Sequence, residues 1–313
     1  MALDLLAIDT ETTGVGWYDN AFMISVATDE WSWVYDKRGM PEDAWYFALQ
    51  KVMRLIIKAD KIIMHNAKFD MHMLNRLGFN LDLFEDKFED TQAIAHLIDE
   101  QQSTSLKYLA RTVLGKETDE DEVLKVWRRK NKLKKEDGYE PIPYEILAPY
   151  AQKDAEFTLE LYKTLMPRLA DTLYPLYEME KTLTMSLLKV EQNGMRIDRD
   201  YVVTQRKEYG DRIYKLKHRI GEIAGKEFNP QSPQQVLSCL GARGVSIDKT
   251  DKATLASVED ELAQLIVELR EANKIKSTYF DALYDESWDS ILHPNFRQHG
   301  TRTGRMSSGS AEA

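Results

Sequence analysis

The chain opens on a short apolar run, Leu3–Ile8, that passes straight into polar residues. A run of that length bounded by turn signals is the pattern of a buried strand. Ala21–Thr28 repeats it, and in Glu30–Tyr35 the aromatic residues Trp31, Trp33 and Tyr35 alternate with polar neighbours, as on a half-buried strand. The period then changes. Trp45, Leu49, Val52, Leu55 and Ile56 fall on one face of a helix over residues 41–58. Lys61–His65 predicts a further strand, and Asp70–Leu77 a helix stopped by Gly78. Strands interleaved with helices predict an α/β domain.

From Asp90 to about Gly115 the spacing is helical, with Ile94, Leu97 and Ile98 followed by Leu106, Leu109 and Val113. Residues 117–140 are almost wholly charged and read as a surface insertion or loop. A helix over Tyr144–Leu165 follows, with Pro143 near its start. Beyond Pro167 only helical spacing is found. Leu173, Leu176, Tyr177, Leu183, Leu187 and Leu188 mark a long helix ending near Asn193-Gly194. A second covers 199–224, a short one follows Ser232-Pro233, and a fourth covers 254–284. This half reads as a helical arm or scaffold.

Composition narrows the class. The chain has 313 residues, 43% of them hydrophobic and 10% aromatic, enough for two or three domains and against disorder. Its net charge of −10 argues against simple electrostatic coating of nucleic acid. The imbalance is local, however: residues 1–100 hold 18 acids against 9 bases, and the remainder is nearly balanced. Cys239 is the single cysteine, which excludes an intrachain disulfide and a cysteine-rich zinc site. The N-terminal apolar run lacks the length and positive flank of a signal peptide, and no apolar stretch approaches a membrane span. The expectation is a soluble, cytoplasmic protein with no membrane partner.

Candidate chemistry begins where the first strand meets Asp9-Thr10-Glu11. Side chains at i and i+2 of an extended segment share a face, so both carboxylates point to one spot. A hard divalent cation relieves their repulsion and prefers oxygen ligands. One Asp-x-Glu is a common solvated strand end. Two more features join it: Asp70 opens a helix after a second apolar run, and Tyr150 and Asp154 share one helix face at a spacing of four. Asp9, Glu11, Asp70 and Asp154 can then converge on a pair of ions, the arrangement that stabilises both oxygens of an in-line phosphoryl displacement.

In order, DTETTG, HNAKFD and YAQKD resemble the three motifs of the DEDD 3′–5′ exonucleases, and Tyr150 matches the tyrosine subclass. Asp90-Thr91 and the SLKYLA segment resemble the same superfamily. The resemblance implies a ribonuclease H-like α/β fold, a mixed sheet with helices, over residues 1–168. It implies two Mg²⁺ or Mn²⁺ ions held by Asp9, Glu11, Asp70 and Asp154, with Tyr150 and Glu11 orienting the nucleophilic water. Asn66 would steady the site and Thr12 would touch the terminal nucleotide. Farther on, EMEKTLTMSLLKVEQNGMRID, FNPQSPQQVLSCL and LHPNFRQHGTRTGRMSS resemble the thumb and first part of the palm of family A DNA polymerases. This implies an all-helical thumb-like region over 169–290 and a palm beginning at 291–313.

The same resemblance implies DNA as partner, as a single-stranded 3′ end or a primer–template. Arg302 and Arg305 would lie at the primer–template, and Lys274 and Lys276 would contact phosphates. Nothing here matches the polymerase active-site motifs, so nucleotide addition by this chain alone is not expected, and a separate chain carrying palm and fingers is an implied partner. A phage or organelle-type source is compatible. Two alternatives stand beside this proofreading exonuclease: a ribonuclease D-like RNA 3′-processing exonuclease, and a non-catalytic subunit of a split polymerase. The basic run Lys125–Lys135, with Trp127 inside it, reads either as a phosphate-tracking edge or, more simply, as a charged insertion neutralised by Glu117–Glu122. His65, His72 and His96 read as packed or exposed residues without chemistry.

Overall fold

Ten residues, Leu3–Thr12, form strand β1, which runs down the middle of a five-stranded sheet. The computed structural model describes residues 3–134 and 137–309. They divide into two units: the chain up to Asn193 together with the segment from Pro294 onward, and Gly194–His293.

In the first unit, β1 pairs antiparallel with β2 (Ala21–Ala27), which pairs antiparallel with β3 (Ser32–Asp36). On its other side β1 pairs in parallel with β4 (Ala59–Met64), and β4 with β5 (Phe88–Asp90). The sheet is therefore mixed, in the order β3-β2-β1-β4-β5. Every residue of β2 is buried, which fits its unbroken apolar sequence and a sheet covered on both faces. β1 extends past the expected end at Ile8, because Asp9 and Glu11 stay in register with Ser25 and Met23 of β2 before a shift at Thr12.

The two faces of β1 carry different partners. Leu6 and Ile8 pack in the cluster that holds Val52 and Ile56 of α1 (Glu42–Lys58), Met71 and Leu74 of α2 (Ala67–Arg76), and Leu188 of α7 (Tyr174–Asn193). Leu5 and Ala7 pack instead with Ile94 of α3 (Thr91–Ile98), Leu109 of α4 (Leu106–Thr112), and Ala155 and Leu159 of α6 (Tyr144–Leu165). Continued by two, the Leu5/Ala7 face carries Asp9 and Glu11 toward α6, and the Leu6/Ile8 face carries Thr10 toward α2.

The charged stretch after residue 117 is not a loop throughout: Asp119–Lys130 is a helix, α5. Four acids in its first turn and Arg128, Arg129 and Lys130 in its last complement the helix dipole. Leu124 and Trp127 anchor it against Phe22, Ile142 and Leu147. The boundary expected near residue 169 differs from the break in compactness, which falls at Gly194. α7 stays with the sheet because Met185 and Leu188 enter one core cluster and Tyr177 the other. Strands β8 (Asn295–Arg297) and β9 (Ser307–Gly309) pair antiparallel and belong to the same unit. Their anchor is Lys68, whose ammonium contacts Glu191 and the Phe296 carbonyl.

The second unit is mainly helical. α8 (Arg199–Ala224) and α11 (Glu261–Ile275) bury Ile213, Leu216, Ile220, Leu262, Ile266 and Leu269 in one cluster, which α9 (Pro233–Ala242) closes with Val236 and Leu240. The helix expected over 254–284 is broken into α10 (Lys252–Ala256), α11, a π-helical turn at Lys276–Asp281 and α12 (Ala282–Glu286). Asp260 caps α11 by accepting from the Leu262 and Ala263 amides, so a new helix starts where the periodicity alone predicts continuity. The short strands β6 (Met195–Arg196) and β7 (Ile291–Leu292), which carry no sequence signal of their own, pair antiparallel. Among the described residues, no helix is long and apolar enough to cross a membrane.

Candidate active site

The face of β1 that packs toward α6 carries the site. Carboxylate oxygens of Asp9, Glu11 and Asp154 all lie within 4.8 Å of one another. Asp9 is partly open to solvent, whereas Glu11 and Asp154 are buried. Pro149, inside α6, removes a helical N–H one residue before Tyr150, and the following turn points Asp154 at the sheet. Asp70, the fourth expected carboxylate, stands on the α2 side. It accepts from the Thr10 amide at 3.0 Å and the Thr10 hydroxyl at 2.7 Å. The structure thus brings three carboxylates into mutual ligand distance and ties the fourth to the strand between two of them.

Burial dominates the electrostatics. It pushes the carboxyls of Asp9 and Glu11 well above the usual range, with neighbouring acids adding to the effect. Asp70 is raised to about 7, mainly by burial, against the pull of its Thr10 bonds. Asp154 is raised to about 6 by burial, with Lys107 and the Tyr150 hydroxyl acting in the opposite sense. Burial and then Asp154 push the Tyr150 phenol well above its ordinary value, so it stays neutral. Its ring stacks on Tyr139 with centroids 6.0 Å apart. Tyr139 is held by its own amide, which donates to the Thr12 carbonyl at 3.1 Å.

A cation already reaches the cluster. The Lys107 ammonium contacts Asp154 Oδ1 and lies 4.0 Å from the centre of the Tyr150 ring. Sequence reasoning passed over this lysine although SLKYLA was singled out. A lysine in the second position of a short helix has no local signature, and only the packing of Leu109 and Ala110 turns it inward. Asp90 was likewise noted without a role. Its carboxylate accepts from Asn66 and Ala67 at the start of α2, and from Gln92 and Ala93 at the start of α3.

Residues 2–170 match the family model for a 3′–5′ exonuclease, and residues 199–312 match that of DNA polymerase family A. The chain belongs to DNA polymerase family A and carries its 3′–5′ exonuclease region. Among similar proteins, DNA polymerase I of Borreliella burgdorferi is 28% identical, covering 97% of this chain and 34% of that protein. DNA polymerase DpoZ of Vibrio phage phiVC8 is 29% identical over 97% of this chain and 54% of its own length. The DNA polymerase of Escherichia phage T5 is 28% identical over 98% and 40%. This family A chain therefore spans about a third to a half of the length of these relatives. The fold matches the POL domain of Pol1 from M. smegmatis, solved in complex with DNA primer-template and dNTP, with a TM-score of 0.69. That match has 22% identity and covers 97% of this chain and 50% of the other.

The other expected contact residues fall in varied settings. Thr12 is buried, its hydroxyl donating to the Gly14 carbonyl at 2.6 Å. Asn66 sits at the N-terminus of α2 with a left-handed backbone, φ 66°. Arg302 and Arg305 are exposed on the segment between β8 and β9, as is Lys274 on α11. Lys276 differs: both oxygens of Asp281 hold it at 2.8 Å. Arg270 turns inward to the Pro230 and Thr250 carbonyls. In the basic run, Lys125 pairs with Asp121 at 2.7 Å, Arg128 braces the Gly138 carbonyl, and Trp127 packs into a core cluster. Lys135 lies outside the described residues. His65 bonds Thr91 and the Thr104 carbonyl, and His72 stacks on Trp17.

Proposed function

We propose that this chain hydrolyses the 3′-terminal phosphodiester of DNA, releasing nucleoside monophosphates as the proofreading activity of a family A polymerase. The observation that carries the reading is the meeting of Asp9, Glu11 and Asp154 within 4.8 Å, Asp154 lying on the helix α6 that also carries the half-buried, neutral Tyr150. An all-oxygen donor set fits Mg²⁺ or Mn²⁺, and the raised carboxyls fit too, because burial and neighbouring acids disfavour their charged forms and a bound cation favours them. Asp9, Glu11 and Asp154 would hold the ions, with Asp70 serving from the Thr10 side. Bound there, two ions supply charge neutralisation for the phosphate and acidify the attacking water.

The chain's own groups do the rest. Tyr150 keeps its proton and so orients water by hydrogen bonding rather than accepting a proton. Thr12, at the end of β1, and Asn66, at the N-terminus of α2, would flank the place for the terminal nucleotide. Lys274, Arg302 and Arg305 offer exposed cations to the DNA backbone, contacts that position without reading sequence; Lys276 would first have to exchange Asp281. Residues 169–290 would serve as a thumb-like region and 291–313 as the start of a palm. The test uses 5′-labelled single-stranded DNA and RNA with Mg²⁺, Mn²⁺ or chelator. A metal-dependent DNA ladder shortened from the 3′ end, lost in Asp9→Ala/Glu11→Ala, is the expected result. Preferred trimming of RNA would move the assignment to the ribonuclease D-like alternative, and no metal-dependent cleavage of either substrate would end both.

A further inference from the structure

Lys107 is the cation that all three clustered carboxylates feel: it acts on Asp9, Glu11 and Asp154 in the sense opposite to their mutual repulsion. Its side chain is 15% exposed and lies in a slot between the Tyr150 ring at 4.0 Å and the Phe157 ring at 5.5 Å. Also near the ammonium stands Glu120, in the first turn of α5. Glu120 Oε1 is 3.7 Å from Lys107 Nζ, beyond hydrogen-bond length, and this buried oxygen has no hydrogen-bond partner. A buried carboxylate oxygen left one short step from an ammonium is costly unless that step is sometimes taken.

We propose that Lys107 is a built-in counter-cation with two seats. It rests on Asp154 in the metal-free protein and withdraws to Glu120 when a divalent ion occupies the Asp9–Glu11–Asp154 cluster. This inference rests on the metal-dependent reading above. The ammonium and an incoming dication cannot share Asp154 Oδ1, because like charges at contact distance repel strongly in a water-poor pocket. Glu120 gives the ammonium a charged partner without returning it to solvent, and the aromatic walls remain in contact with it along the way. Glu120 is thus a positioning residue acting through Lys107, and the pair sets how readily the site loads.

The experiment is a Mn²⁺ titration of the full chain without DNA, followed by calorimetry and by the Mn²⁺ paramagnetic resonance signal, so that activity plays no part. Lys107→Met removes the competitor and is expected to tighten Mn²⁺ binding by about tenfold or more. Glu120→Gln removes the second seat and is expected to weaken binding in the presence of Lys107. In the Lys107→Met background the same change is expected to cost at least about threefold less, the residue being long-range charge alone. Should Lys107→Met not fold, Lys107→Gln keeps a donor for Asp154 while removing the charge. Equal Glu120→Gln effects in both backgrounds, or unchanged affinity on removing the lysine charge, would overturn the two-seat proposal while leaving the metal site standing. If neither wild type nor the lysine variants bind Mn²⁺, the metal-dependent reading itself fails and takes this inference with it.

Discussion

Tyr150 shows what one hydroxyl does in this site. It is half-buried, neutral and stacked on Tyr139, so in the proposed reaction its contribution would be a directed hydrogen bond. Tyr150→Phe keeps the ring and the slot for Lys107 but removes the O–H. Turnover on single-stranded DNA should fall by about 10- to 100-fold with Mn²⁺ affinity nearly unchanged; an equal fall in affinity would make the tyrosine a structural support instead. Thr10 works through Asp70. Thr10→Val deletes the 2.7 Å hydroxyl bond while the 3.0 Å amide bond survives. Losing one bond to a buried carboxylate costs about 1–2 kcal/mol, visible as a lower midpoint in urea.

At the scale of elements, the site depends on how helix ends are tied. Asp90 caps α2 and α3 at once, and Asp70 lies in the first turn of α2. Asp90→Ala leaves several amides unpaired and should destabilise the protein by about 3 kcal/mol, read by chemical denaturation. A loss below about 1 kcal/mol would mean that water replaces the cap. Gly138 makes a second tie. Its φ is +62°, and a Cβ there would stand 2.0 Å from the Thr13 carbonyl oxygen. Gly138→Ala therefore pushes the 138–139 segment off Thr12 and unseats Tyr139 from Tyr150, lowering both stability and cleavage. The strands and long helices of this unit were legible because their apolar period is strong. Asp9, Glu11, Asp154 and Tyr150 were legible through spacing within single elements. Lys107 and Glu120 were not, because their meeting depends on two helices, one of which lies in a stretch whose charge hides Leu124 and Trp127. β5 was missed for a related reason: three residues, two of them acidic, form a strand only because β4 offers an edge.

Across the whole molecule, two properties follow from burial and chain order. His65 is half-buried, bonded to Thr91 and Thr104, and desolvation lowers its affinity for protons. A histidine depressed in the folded state costs nothing above its unfolded value of about 6.5 and destabilises as pH falls below it. The melting-temperature gap between wild type and His65→Gln should therefore narrow from pH 7.5 to 5.5; a constant gap would place the effect elsewhere. The acidic excess of residues 1–100 is partly the site itself, since Asp9, Glu11 and Asp70 lie there. The order of units has a consequence during synthesis. The chain enters the helical unit at β6 and leaves it at β7, and the two strands are paired neighbours. The sheet unit is thus interrupted in sequence but rejoined through Phe296 and Gln298, which meet Lys68 and Glu180. A ribosome making this protein releases the strands of the sheet unit first, yet that unit waits for all of Gly194–His293 before the β8–β9 hairpin can lock. A nascent chain stalled ahead of Pro294 should accordingly be cut by protease near α7 more readily than the finished protein.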